Sequence, residues 1–211
     1  MARTRIKICG ITRVEDARAA VEAGADAVGL VFYPPSPRHV GVERAREIAR
    51  SVPPFVTVVG LFVNAPRVEV ERTLSEVPIQ SLQFHGDEGE PDCSGFGRPY
   101  IKAARVRPGL DLVEYALRFP SAQAMLLDAY VDGYGGGGKA FDWSLIPARM
   151  PLPVVLSGGL DASNVAQAIR RIRPWAVDVS SGVEAAKGIK DADRIAQFIS
   201  GVKDGDDRPA V

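Results

Sequence analysis

Four side chains able to do chemistry each close a short apolar run: Cys9 ends Arg5–Cys9, His85 ends Ser81–His85, Asp128 ends Ala124–Asp128 and Ser180 ends Ala176–Ser180. A free thiol ionises near pH 8.5, close enough to neutral for proton transfer, and a carboxyl or imidazole serves the same chemistry. Two glycine-rich turns follow the later runs, Ser157-Gly158-Gly159-Leu160 and Ser180-Ser181-Gly182-Val183. Glycines let backbone N–H groups approach an anion closely, and serines add hydroxyl donors. Gly158, Gly159, Asp178, Ser180, Ser181 and Gly182 therefore mark a candidate phosphate region. A third turn, Gly133–Lys139, holds four consecutive glycines and reads as a flap with Lys139 within reach of the site.

These groups need a scaffold, and the apolar runs supply it. Eight runs start at 5, 27, 56, 81, 100, 124, 154 and 176, on average about 24 residues apart, enough for one strand and one helix per unit. Helical patterns fill the gaps. Thr12 and Glu15 form a capping box ahead of the first, and Gly24 follows its end. Others span 42–50, start at Pro66, and span 110–117, 143–149, 162–172 and 192–202, while 87–97 has room only for a short one. Alternating apolar strands and helices imply parallel strands covered by helices. Cys9-Gly10-Ile11-Thr12 is no dinucleotide fingerprint, and eight units favour a closed barrel over an open sheet. The expected fold is α/β, a (β/α)8 TIM barrel in a single compact domain over 1–202, with 203–211 a frayed polar tail.

Strand alternation sends the apolar side chains to the helices and the polar ones inward. Lys7, Cys9, Gln83, His85, Asp178, Lys102 and Asp128 are the expected interior set. Buried charges need partners. Strands one and eight are neighbours in a closed barrel, so Lys7 and Asp178 are candidates for an ion pair. Barrel active sites occupy the C-terminal strand ends, where Cys9, His85, Asp128 and Ser180 fall.

Composition removes other classes. Lys plus Arg and Asp plus Glu are 26 each among 211 residues, so the chain lacks the basic footprint of a nucleic-acid binder. Cys9 and Cys93, with only His39 and His85 beside them, make neither a disulfide framework nor a usual zinc cluster. No apolar run approaches the roughly 18 residues a membrane helix needs, and no signal peptide fits. A cytoplasmic setting is expected, with no metal, no membrane and no nucleic acid; monomer and homodimer both stay open.

The motifs resemble one family in order. Lys7-Ile8-Cys9-Gly10-Ile11-Thr12, Phe32–Arg38, Gln83–Glu88, Leu127-Asp128-Ala129, Gly135–Trp143, Leu156–Leu160, Asp178–Glu184 and Gly188–Asp191 are similar to those of phosphoribosylanthranilate isomerase, of tryptophan biosynthesis. Two positions depart: Gly137 stands where threonine is usual, and Lys187 where proline is usual. The resemblance implies an Amadori rearrangement of a small phosphosugar without cofactor. It implies Asp128 as the general acid at the ribose ring oxygen and Cys9 as the general base at ribose C2. It implies Arg38 as the ligand of the anthranilate carboxylate, a role a planar guanidinium in a proline-stiffened loop suits. To act as acid Asp128 must hold a proton, which burial favours. His85 either meets substrate at the mouth or satisfies neighbouring backbone. Competing readings are the related histidine-biosynthesis isomerase, disfavoured by Cys9 and by the absence of two similar halves, and a non-catalytic phosphosugar-binding barrel.

Overall fold

The computed structural model describes residues 3–129 and 142–207. The Gly133–Lys139 turn, with Gly137, lies outside the described residues. Among the described residues, eight parallel strands close a barrel: β1 (Arg5–Cys9), β2 (Ala27–Val31), β3 (Thr57–Phe62), β4 (Ser81–Phe84), β5 (Tyr100–Val106), β6 (Ala124–Ala129), β7 (Val154–Leu156) and β8 (Ala176–Val179). Closure comes from β1 pairing with β8, in a register that sets Lys7 opposite Asp178. The helices are α1 (Val14–Ala23), α2 (Val42–Ser51), α3 (Arg67–Glu76), α4 (Glu90–Cys93), α5 (Leu112–Leu117), α6 (Val165–Ile172) and α7 (Ala192–Asp207). A short antiparallel hairpin, β9 (Glu184–Ala186) and β10 (Ile189–Lys190), lies between β8 and α7.

The main apolar core lies between barrel and helices, through Ile6, Ile8, Val28, Leu30, Leu82, Phe84, Val177 and Val179 with Ala17, Ile48, Ile169 and Phe198. Ala103, Ala124, Leu126, Val155 and Ala176 form a separate apolar plug. They share a strand face with Asp128 and Asp178, so the plug belongs to the barrel interior. A third cluster joins Cys9 to Val31, Leu61 and Val63.

Several sequence expectations need revision. Lys102 is not an interior group. It shares its strand face with Tyr100, Ala104 and Val106 of the helix-facing core. Its ammonium donates to Gly86 O (2.7 Å) and Glu88 Oε2 (2.8 Å), and lies 5.5 Å from the Phe119 ring centre. Glu88 in turn accepts from the amides of Asn64 and Gly86, so this buried pair ties the ends of β3 and β4 together. Thr12 does not cap α1: Arg13 holds that position, and the Thr12 hydroxyl donates to Gly188 O in the hairpin loop. The helix expected over 143–149 reduces to one 3-10 turn, Trp143–Leu145, capped by Asp142. After β8 comes a 3-10 turn at Ser181–Val183, followed by the hairpin.

The tail expected to fray at 203 is helical through Asp207. Gly201 and Gly205 let α7 approach α6 closely: a Cβ on them would stand 2.8 Å from Val165 Cγ1 and 3.0 Å from Ile169 Cβ. Asp206 accepts from Thr4 N (2.8 Å) and Thr4 Oγ1 (2.6 Å), fixing the start of β1. Asp206→Ala should therefore cost about 1–2 kcal/mol of unfolding free energy, because it strands two donors of a buried residue. Urea denaturation measures this, and an unchanged midpoint would mean that the contact does not hold the helix end.

Candidate active site

The cavity at the C-terminal ends of the strands encloses about 780 Å³, counting the space open to solvent. Its walls include Cys9, Arg38, His85, Asp128, Gly158, Gly159, Asp178, Ser180 and Ser181. Gly182 is the one residue of the candidate set that does not line it. A Cβ there would stand 2.0 Å from Leu160 O, so this glycine lets the turn after β8 rest against the turn after β7.

Cys9 is buried, and Gly29 on β2 makes room for it: a Cβ at 29 would stand 2.8 Å from Cys9 Sγ and 3.2 Å from Lys7 Cε. Burial raises the Cys9 thiol above its ordinary range, and the neighbouring Lys7 ammonium only partly reverses this. Lys7 pairs with Asp178, Nζ to Oδ1, at 2.8 Å. Burial works against its charge, but Asp178 and Cys9 outweigh burial and raise its pKa. Ser157 donates to the other Asp178 oxygen at 3.1 Å. Asp178 thus accepts from its own barrel. It lines the cavity and holds Lys7 beside Cys9.

Across the mouth, Asp128 accepts from Ala129 N on Oδ1 (2.8 Å) and faces His85 Nε2 with Oδ2 (3.1 Å). Gln83 places its Nε2 3.0 Å from His85 Nδ1, while its buried Oε1 has no partner. His85 therefore contacts the carboxyl group of Asp128, not merely backbone. The turn after β7 closes over this carboxyl group. Gly158 and Gly159 have φ of +80° and +66°, and a Cβ on Gly158 would stand 2.5 Å from Ala129 N and 2.9 Å from Asp128 Oδ1. Only glycine fits there.

Arg38 follows the Tyr33–Pro37 loop, its side chain lying over Gly10, where a Cβ would stand 2.5 Å from Arg38 Cδ. Glu184 takes its Nε (2.7 Å) and Nη2 (2.8 Å) bidentately. This hydrogen bonding raises the Arg38 pKa further. Burial pushes the Glu184 carboxyl up, but Arg38 and Lys190 more than reverse it. Glu184, Lys190 and Ser157 were not among the sequence candidates.

Comparison with known proteins decides what this constellation belongs to. Residues 6–201 match the family model described as N-(5'-phosphoribosyl)anthranilate (PRA) isomerase. The N-(5'-phosphoribosyl)anthranilate isomerase of Leptothrix cholodnii is 62% identical over 207 residues, 98% of this chain and 94% of that one.

The chain belongs to the phosphoribosylanthranilate isomerase family.

It is an isomerase, an enzyme of tryptophan biosynthesis. The crystal structure of phosphoribosylanthranilate isomerase from Thermotoga maritima matches with a TM-score of 0.88 and 48% identity, over 95% of this chain and 98% of that one. A phosphoribosylanthranilate isomerase solved in complex with reduced 1-(o-carboxyphenylamino)-1-deoxyribulose 5-phosphate matches with a TM-score of 0.84 and 45% identity, over 95% and 98%. No helix among the described residues is long and apolar enough to cross a membrane.

Proposed function

We propose that this isomerase converts N-(5'-phosphoribosyl)anthranilate into 1-(2-carboxyphenylamino)-1-deoxyribulose 5-phosphate with Asp128 as general acid and Cys9 as general base. The observation that carries the reading is the convergence of both groups on one cavity, with the β7 and β8 turns on its wall and Arg38 at its mouth. Asp128 gives a proton to the ribose ring oxygen as the bond from that oxygen to C1 breaks, leaving an iminium at C1. The Cys9 thiolate removes the C2 proton, and the electron pair moves toward C1 to give an enolamine. The enol hydroxyl then loses its proton and C1 gains one, exchange with solvent takes the proton from Cys9 and returns one to Asp128, and the isomerisation closes with no net change of atoms or electrons. Gly158, Gly159, Ser180 and Ser181 receive the 5-phosphate. Arg38 receives the anthranilate carboxylate. A resting thiol as base suits a reducing, cytoplasmic setting, and both described cysteines are free.

Arg38→Ala tests the carboxylate assignment. Loss of a charge-assisted, planar contact should raise KM about tenfold or more with kcat within about threefold. The change in anthranilate fluorescence on conversion gives both constants. A fall confined to kcat would count against the carboxylate role.

A further inference from the structure

Glu184 belongs to the β9–β10 hairpin, not to a barrel strand, yet its side chain is only 6% exposed. It reaches the Arg38 guanidinium from the side that carries Nε. Oε1 accepts from Nε at 2.7 Å and Oε2 from Nη2 at 2.8 Å. A guanidinium has a second edge for a bidentate partner, made by Nη1 and the remaining Nη2 hydrogen. No described group accepts from that second edge, and Arg38 lines the substrate cavity.

Glu184 is itself immobilised. Lys190 Nζ donates to its Oε1 at 3.0 Å and also to Ser180 O and Oγ, at 3.0 and 3.2 Å. The Lys190 side chain is fully buried, and its backbone amide is fixed by Asp16 at 3.1 Å. Gly188 closes the hairpin in a left-handed conformation, φ +78°, and a Cβ there would press on Pro37 O at 3.0 Å. The hairpin is thereby seated against the Arg38 loop. Two cations share one carboxylate, so the cluster keeps one net positive charge for an anionic ligand.

We propose that Glu184 is a positioning residue for substrate binding: it occupies the Nε edge of Arg38 so that the Nη edge stands preformed for the anthranilate carboxylate. This rests on the reading of Arg38 given above. A free arginine loses rotamer freedom when it binds, and one already clamped has lost it beforehand. The contribution therefore lies in affinity for the carboxylate end, not in proton transfer.

The test is Glu184→Gln, which keeps shape but turns one acceptor oxygen into a donor facing two cations. Steady-state kinetics are read beside inhibition by two fragments, anthranilate for the carboxylate end and ribose 5-phosphate for the other. KM and the anthranilate inhibition constant should each rise about tenfold, with kcat within about threefold and the ribose 5-phosphate constant within about twofold. Lys190 keeps its bonds to Ser180 in this variant, which is why the phosphate end is expected to hold. Unchanged KM, a loss confined to kcat, or equal weakening of both fragments would each overturn the proposal, the last by showing mere loosening of the pocket. If Glu184→Gln does not fold, Glu184→Asp keeps the charge and withdraws it by one methylene, and the same pattern is required of it. Arg38→Ala separates the two readings. If it leaves KM unchanged, the carboxylate role of Arg38 fails. If it raises KM while Glu184→Gln does not, only the positioning role fails.

Discussion

Asp128→Asn is expected to lower kcat by at least about a hundredfold while leaving the barrel folded, in line with the roughly 10²–10⁴-fold that one positioned acid contributes. Asparagine has the same shape. Its amide oxygen takes the Ala129 N–H that Asp128 Oδ1 takes now at 2.8 Å, and its NH₂ keeps the contact to His85 Nε2 when the Gln83 amide turns its unpartnered Oε1 to a Nδ1–H and so leaves Nε2 an acceptor. What it lacks is a proton to release. With Gln83 donating to Nδ1, the proton of neutral His85 resides on Nε2, directed at Asp128. Both groups line the cavity, and the turn at Gly158 closes over the carboxyl group of Asp128. His85→Asn should accordingly cost less than Asp128→Asn, since it removes the partner and not the donor. Turnover by fluorescence and melting by circular dichroism check both. An Asp128→Asn enzyme within about tenfold of the parent would mean that another group protonates the ring oxygen.

The architecture was legible because it is written in periodic signals. Each of the eight barrel strands falls on one of the eight apolar runs, and alternation along β1, β4 and β8 assigned Lys7, Gln83 and Asp178 to the interior where the side chains stand. Lys102 stands on the face opposite to the one its polarity suggests, because its ammonium finds Gly86 O and Glu88 outside the barrel interior. Its own strand held the contrary signal: Ile101 and Ala103 pack with the interior plug, whereas Tyr100, Ala104 and Val106 face the helices. Thr12 and Glu15 have the spacing of a capping box, but a contact about 176 residues away along the chain takes the hydroxyl instead, and no local pattern reports that. The same limit hid Glu184 and Lys190. Both stand inside motifs read from the sequence, as charges flanking a glycine hairpin, yet what gives them meaning is a guanidinium 146 residues earlier in the chain. The hydroxyl partner of Asp178 is hidden in the same way: the strand pattern offers Lys7, while Ser157 comes from the turn after β7, and together they commit the carboxylate to its place beside Lys7.

That commitment bears on the base. Cys9→Ser should also lose at least about two orders of magnitude in turnover, because a serine hydroxyl does not ionise in the range where a thiol does. The pH dependence makes the assignment sharper. Burial holds the Cys9 thiol above its ordinary pKa, Lys7 and Lys190 pull it down, and Asp178 pushes it back up. Cys9 is therefore a thiol at neutral pH in the free enzyme, and the active thiolate accumulates only as pH rises. Since kcat/KM reports groups of the free enzyme, it should climb from neutral into the alkaline range, and the limb should vanish in Cys9→Ser. Lys7→Met gives the sign test. Removing the cation takes away a term that favours the thiolate and leaves Asp178 facing the sulfur with no ammonium at 2.8 Å to offset it. Both changes disfavour ionisation, so the limb must move to higher pH. A limb that stays in place, or moves down, would show that the ascending ionisation belongs to some other group, and Cys9 would lose its claim to the C2 proton even if its replacement were inactive.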